Sequence, residues 1–104
     1  MQNKKNLFDE DENVLADYAK ALSHPARIKI LEYLIKLDIC SCGEIVDKLP
    51  LSQATVSQHL KELKRTGLIK GEIEGPKVCY CINDTAIEKA KNMFESLFKQ
   101  VCCK

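Results

Sequence analysis

Apolar positions recur along this chain at two periods, one near 3.6 and one near two, and the changes between them mark out its elements. Val14, Leu15, Tyr18, Ala19 and Leu22 share one helical face and predict a first helix over about residues 10–22. The acidic run Asp9, Glu10, Asp11, Glu12 stands at its start, where negative charge meets the positive end of the helix dipole. Ser23-His24-Pro25 interrupts the pattern. Ser23 or His24 can cap a new helix, and proline suits a first helical turn, where its missing N–H is not needed. Ile28, Leu31, Leu34 and Ile35 then predict a second helix ending near Lys36.

Ser41 and Glu44 match the capping box S-x-x-E ahead of Ile45, Val46 and Leu49. A short third helix is expected, with Ser41 as N-cap, Cys42 as first helical residue and Pro50 as its stop. Ser52 is the expected N-cap of a fourth helix, with Leu51 and Val56 placed as a hydrophobic staple. Val56, Leu60 and Leu63 form its inner stripe, and Gly67 suits its C-terminal stop. Residues 68–74 and 77–82 read as two strands of a hairpin around Gly75-Pro76. Alternation predicts Val78, Tyr80 and Ile82 on the buried face, with Cys79 and Cys81 structural or exposed on the other. From Asp84 onward, Ile87, Ala90, Phe94, Leu97, Phe98 and Val101 predict a long amphipathic helix near heptad spacing. So much regular apolar surface exceeds what the rest of the domain can cover, and a partner subunit is the expected cover.

Two short helices joined by a tight turn and followed by a two-stranded wing make a winged helix-turn-helix. The expected fold class is therefore α+β, mostly helical, with about five helices and one β-hairpin. A single domain over residues 1–104 and a homodimer through the first and last helices complete the expectation.

Composition narrows the class. Hydrophobic residues make up 45% and charged residues 30% of 104, the balance of a folded domain with one core. No apolar run approaches a membrane span, and MQNKKNLFDEDEN lacks a secretory h-region, so a cytoplasmic protein is expected. A net charge of +1 permits DNA binding without demanding it. Its distribution is more informative: Lys61, Lys64, Arg65, Lys70 and Lys77 gather in the middle of the chain. On the fourth helix Gln58, Lys61 and Arg65 lie opposite the inner stripe, Thr55 and Ser57 flank them, and Gln53 occupies the first turn. Gln, Ser and Thr can read base edges, and Lys and Arg neutralise phosphate. Lys77, at the wing tip, is a further candidate phosphate contact. His59 sits at the edge of the stripe and suits either a DNA contact or a structural role. No paired carboxylate, nucleophile–base set or phosphate loop supports an enzyme.

ALSHPARIKILEYL, GEIVDKLPLSQATVSQHLKELKRTGLI and KVCYCIN together resemble the ArsR/SmtB family of bacterial metal-responsive repressors, from about Leu15 into the terminal helix. The resemblance implies a homodimer that binds double-stranded operator DNA without any required cofactor and releases it when a metal or metalloid binds. It makes residues 53–65 the recognition helix, with Gln53, Thr55, Ser57 and Gln58 as DNA contacts and His59 in support.

The six cysteines fall in three close pairs, Cys40/Cys42, Cys79/Cys81 and Cys102/Cys103, with no C-x-x-C. The family's arsenic and cadmium/lead branches carry a Cys-x-Cys at the start of the third helix, which Cys40 and Cys42 match. A helix start favours thiolates, and thiolates suit As(III), Sb(III), Cd(II) and Pb(II). The third cysteine of some arsenic repressors is Ile45 here, and no cysteine precedes Cys40, so Cys102 or Cys103 is the expected remaining ligand. The last helix holds no histidine, which argues against the family's Zn/Co/Ni site on that helix. Arsenite or antimonite is the expected inducer. A Cd-, Pb- or Zn-responsive repressor and a thiol-redox or persulfide sensor are the alternatives.

Overall fold

The N-terminal half is built from two helices tied end to end. The computed structural model describes residues 7–37, 40–41, 43–74 and 77–101. Helix α1 (Glu10–Ala21) starts where the Glu12 carboxylate accepts the Asp9 backbone N–H at 3.0 Å. Helix α2 (Pro25–Leu37) follows after three residues, and His24 is the residue that caps it, its Nδ1 accepting the Ala26 N–H at 3.0 Å. Both helices agree with the periodicity.

The third helix departs from expectation. Helix α3 spans only Glu44–Asp47, and its N-cap is Gly43 at φ 131°, a backbone conformation that only glycine adopts without strain. Ser41 is not the cap. Its N–H donates to the Tyr80 carbonyl and its carbonyl accepts the Tyr80 N–H, both at 2.9 Å. The Ser41 N–H that a capping box would give to the Glu44 side chain goes instead to Tyr80, so Ser41 pairs with β2 rather than starting a helix. Cys42, expected as first helical residue, lies outside the described residues.

Helix α4 (Gln53–Thr66) has the ends its sequence specifies. The Ser52 hydroxyl accepts the Thr55 N–H at 3.2 Å, and Gly67 turns left-handed at φ 86°. Strands β1 (Ile69–Glu74) and β2 (Lys77–Ile82) pair antiparallel, with Ile69 opposite Ile82 and Gly71 opposite Tyr80. Because both backbone groups of Tyr80 go to Ser41, β2 is paired on both edges. Helix α5 (Asp84–Lys99) starts on the Asn83 side chain, which accepts the Ala86 N–H at 3.3 Å.

The core gathers Ile30 and Leu34 of α2, Ile45 of α3, Val56, Leu60 and Leu63 of α4, and Leu68 and Ile69 at the root of the wing. Tyr18 and Ala21 join from α1. Each such aliphatic side chain contributes about 1.5–3 kcal/mol by leaving water. Helix α5 buries Ala90 and packs Ile87 and Phe94 against the core, while Leu97 and Phe98 near its end and Val101 beyond it stay exposed, so the C-terminal half of its stripe is left uncovered by its own chain. The expected alternation in β2 holds for Tyr80 and Ile82, which pack against the core, but not for Val78 and Cys79. Val78 is 47% exposed and Cys79 only 2%. Val78 stands toward the hairpin tip, beyond the core, whereas Cys79 lies where the Ser41 segment covers β2. Among the described residues no helix is long and apolar enough to cross a membrane.

Replacing Ser52 by alanine removes the α4 cap bond and is expected to lower stability by about 1 kcal/mol, measured as a shifted urea midpoint at unchanged slope.

Candidate nucleic-acid interface and thiol site

Four apolar or aromatic positions of α4, Val56, His59, Leu60 and Leu63, face inward, and this determines which side chains face out. Gln53, Gln58 and Lys61 are exposed, and Thr55 and Ser57 are half-buried at the two edges of that face. The Thr55 hydroxyl is 2.9 Å from that of Ser52, which aligns it at the helix start. The outward set thus offers amide and hydroxyl groups for base edges and an ammonium for phosphate. Lys77 opens β2, and its side chain lies outside what is described.

Arg65 and His59 are engaged within the fold. The Arg65 guanidinium forms a fork with Asp17 of α1, at 2.9 Å and 3.2 Å, and also donates to Glu62 at 2.9 Å. It ties the end of α4 to α1 and in this conformation is not a free cation for phosphate. That hydrogen bond from Arg65 also holds the Glu62 carboxyl below its usual range.

His59 is 9% exposed and belongs to a cluster between three helices. Its ring centre lies 4.4 Å from that of His24, and its Nδ1 is 3.2 Å from Arg27 Nη1. Arginine has donors only, so Nδ1 accepts and the ring is neutral with its proton on Nε2. Arg27 also donates to the carbonyls of Ala21 at 2.7 Å and Lys20 at 3.3 Å, closing the C-terminus of α1. Burial first, then the nearby His24 and Arg27 charges, push the His59 pKa down. Of the two roles the sequence allowed His59, these contacts fit the structural one. Arg27 and Asp17 were missed because neither stands on an apolar periodic face and their partners lie on other helices.

The thiols converge where the sequence reading did not place them. Cys40 and Cys81 are joined by a disulfide with Cα atoms 4.4 Å apart. They flank the Ser41–Tyr80 pair, and that spacing is the one expected of a non-hydrogen-bonded cross-strand pair. Cys79, two residues along β2, is buried and also disulfide-bonded. The wing cysteines are therefore neither bystanders nor simply exposed. Glu72 of β1 brings a carboxylate oxygen within 4.8 Å of both the Cys40 and the Cys81 sulfur. Cys42, Cys102 and Cys103, the other expected ligands, lie outside the described residues. The signal in the sequence was the shared spacing: Cys-x-Cys places two side chains on one face of a strand, and Cys79-x-Cys81 sits on one.

Residues 22–72 match the family model described as "Helix-turn-helix domain". The chain is 36% identical over 83 residues to the transcriptional activator HlyU of Vibrio cholerae, covering 80% of this chain and 73% of that protein. It is 35% identical to a cadmium resistance transcriptional regulatory protein CadC homologue of Staphylococcus aureus, covering 91% of this chain and 76% of that protein. The solved structure of Vibrio cholerae HlyU superposes with a TM-score of 0.69 at 32% identity, over 93% of this chain and all of that one.

The His59 arrangement has a consequence for pH. A depressed pKa in the folded state means the unfolded chain binds more protons near and below the ordinary histidine pKa of 6.5. Stability is then expected to fall as pH drops below about 6.5. His59→Gln should flatten that slope, as measured by urea unfolding between about pH 7.5 and 5.5.

Proposed function

The chain belongs to the ArsR/SmtB family of DNA-binding transcriptional regulators, and from that premise we propose that it is a homodimeric repressor that releases its operator when a thiophilic metalloid binds Cys40 and neighbouring thiolates. The observation that carries this reading is the meeting of the Cys40 and Cys81 sulfurs beside Glu72, next to the segment that leads into α3 and α4. In reduced protein these two thiols are soft donors already held at bonding distance from one ion. As(III) or Sb(III) takes three sulfurs, and Cys42, Cys102 and Cys103 are the proposed further donors.

Inducer capture acts through the backbone. Cys40 precedes Ser41, whose two bonds to Tyr80 couple it to β2, so an ion that inserts between the two sulfurs and pulls in a further thiolate shifts the start of the helix-turn-helix against the wing. DNA recognition needs both in register, with α4 in the major groove and the wing on the flanking backbone. Gln53, Thr55, Ser57 and Gln58 are the proposed base-edge and positioning contacts, with Lys61 and Lys77 on phosphates. The two recognition helices are brought to successive grooves by a dimer through α1 and α5, where Leu97, Phe98 and Val101 offer an uncovered apolar face. An open groove of about 1050 Å³ between α1 and α5, lined by Leu15, Met93 and Leu97 among others, continues that face.

A divalent cation such as Cd(II), Pb(II) or Zn(II) is the second reading. The Glu72 carboxylate favours it, because two sulfurs and an oxygen suit a divalent ion better than As(III).

Two measurements test the proposal. With a duplex selected from a randomised library by the reduced protein, arsenite should weaken wild-type binding by about tenfold or more and leave Cys40→Ser within about twofold. No arsenite effect on the wild type rejects the metalloid reading, and the same assay with Cd(II) decides the second. Lys61→Ala should weaken binding to all sequences alike and lower the salt slope by about 1.

A further inference from the structure

The Cys40–Cys81 bond closes a covalent ring around the whole DNA-reading unit. Between its ends, 41 residues apart, lie α3, α4 and the hairpin turn from β1 into β2. Its two halves belong to different parts of the reader: Cys40 enters the helix-turn-helix and Cys81 ends the wing. The sulfurs are brought together by something that does not depend on them, the paired backbone bonds of Ser41 and Tyr80. A Cα separation of 4.4 Å lies within the range disulfides span, so the bond forms on the geometry the backbone pair sets and then holds that pair from opening. The pair is also reachable. Cys40 is the more exposed of the two, and both line a cavity of about 340 Å³ that opens to solvent beside Leu34, Ile35 and Ile87.

We propose that Cys40 and Cys81 form a reversible oxidation site, a clamp that fastens the wing to the helix-turn-helix and tightens the hold on operator DNA. The oxidant is a hydroperoxide. The more exposed thiolate, Cys40, attacks its terminal oxygen, the O–O bond breaks, and a sulfenic acid forms as the alcohol or water leaves. The Cys81 thiolate then attacks the Cys40 sulfur, the S–O bond breaks and water departs. In sum, two thiols and one hydroperoxide give one disulfide, one alcohol or water, and one water. A low-molecular-weight thiol pair reverses it by exchange, becoming a disulfide as both cysteines regain protons. The clamped state holds α4 and the wing in one relation before DNA arrives, so less order is lost on binding. It also removes both sulfurs from any soft ion, so the oxidised repressor is blind to an inducer that needs them. The effect on DNA rests on the operator-binding reading above; the oxidation itself does not.

The test uses full-length protein, reduced and freed of metal, then treated with hydrogen peroxide. Cys40 and Cys42 share one tryptic peptide and Cys79 and Cys81 another, so linkage is mapped in Cys42→Ser/Cys79→Ser. The expected product is a peroxide-dependent cross-link between the two peptides that dithiothreitol removes. Operator affinity, measured on the library-selected duplex without arsenite, should be several-fold tighter for oxidised than for reduced wild type. Cys81→Ser should show no such difference. Absence of the cross-link, or a cross-linked protein that binds the duplex no more tightly than the reduced one, overturns the clamp. A reduced protein that selects no duplex at all strikes the operator reading instead, and with it the effect on DNA, while the cross-link still reports on the oxidation.

Discussion

The reciprocal backbone pair between Ser41 and Tyr80 is the constraint on which the arrangement depends. It turns a hairpin into a sheet in which β2 is flanked on both edges, and it fastens the entry of the helix-turn-helix to the wing. Register does the rest. Residues beside a hydrogen-bonded pair in an antiparallel ladder stand close, and here they are Cys40 and Cys81. The dithiol is thus a product of strand pairing, not of a helix terminus. Chemistry at the sulfurs acts on the relation between the two elements that meet DNA.

A second set of ties holds the recognition helix itself. Val56, Leu60 and Leu63 bury one face of α4, and hydrophobic burial there decides which side chains remain for a ligand. Arg27 links the end of α1, the start of α2 and His59 of α4, while Arg65 reaches back to Asp17 of α1. Two side chains that polarity alone would assign to DNA, Arg65 and His59, thus have partners within the chain that orient the helix. What is left outward, Gln53, Gln58 and Lys61 with Thr55 and Ser57 at the edges, is compact and mixed in chemistry, as a base-reading surface requires.

Much of the fold was legible in the chain. The period of Val56, Leu60 and Leu63, the Ser52 cap and the Gly67 stop specify α4 almost residue by residue, because each rests on local chemistry. The helices α1, α2 and α5 and the hairpin follow for the same reason. The thiol site was legible only in half. Ser41-x-x-Glu44 is a sound local signal for a cap, yet the bridge to Tyr80, nearly forty residues away in sequence, outcompetes it, and local rules cannot weigh a distant partner. Alternation placed Tyr80 and Ile82 against the core but missed the burial of Cys79, which depends on a segment nearly forty residues earlier that lies beside β2. Arg65 looked like a phosphate ligand until Asp17 came within reach through tertiary packing.

The central claim is that thiol chemistry at Cys40 and operator binding are coupled, and coupling must be reciprocal. The direct measurement is a titration of the reduced protein with arsenite, once free and once saturated with operator duplex. The account predicts that DNA weakens arsenite binding by the same factor by which arsenite weakens DNA binding. Equal arsenite affinity in the two titrations would contradict it.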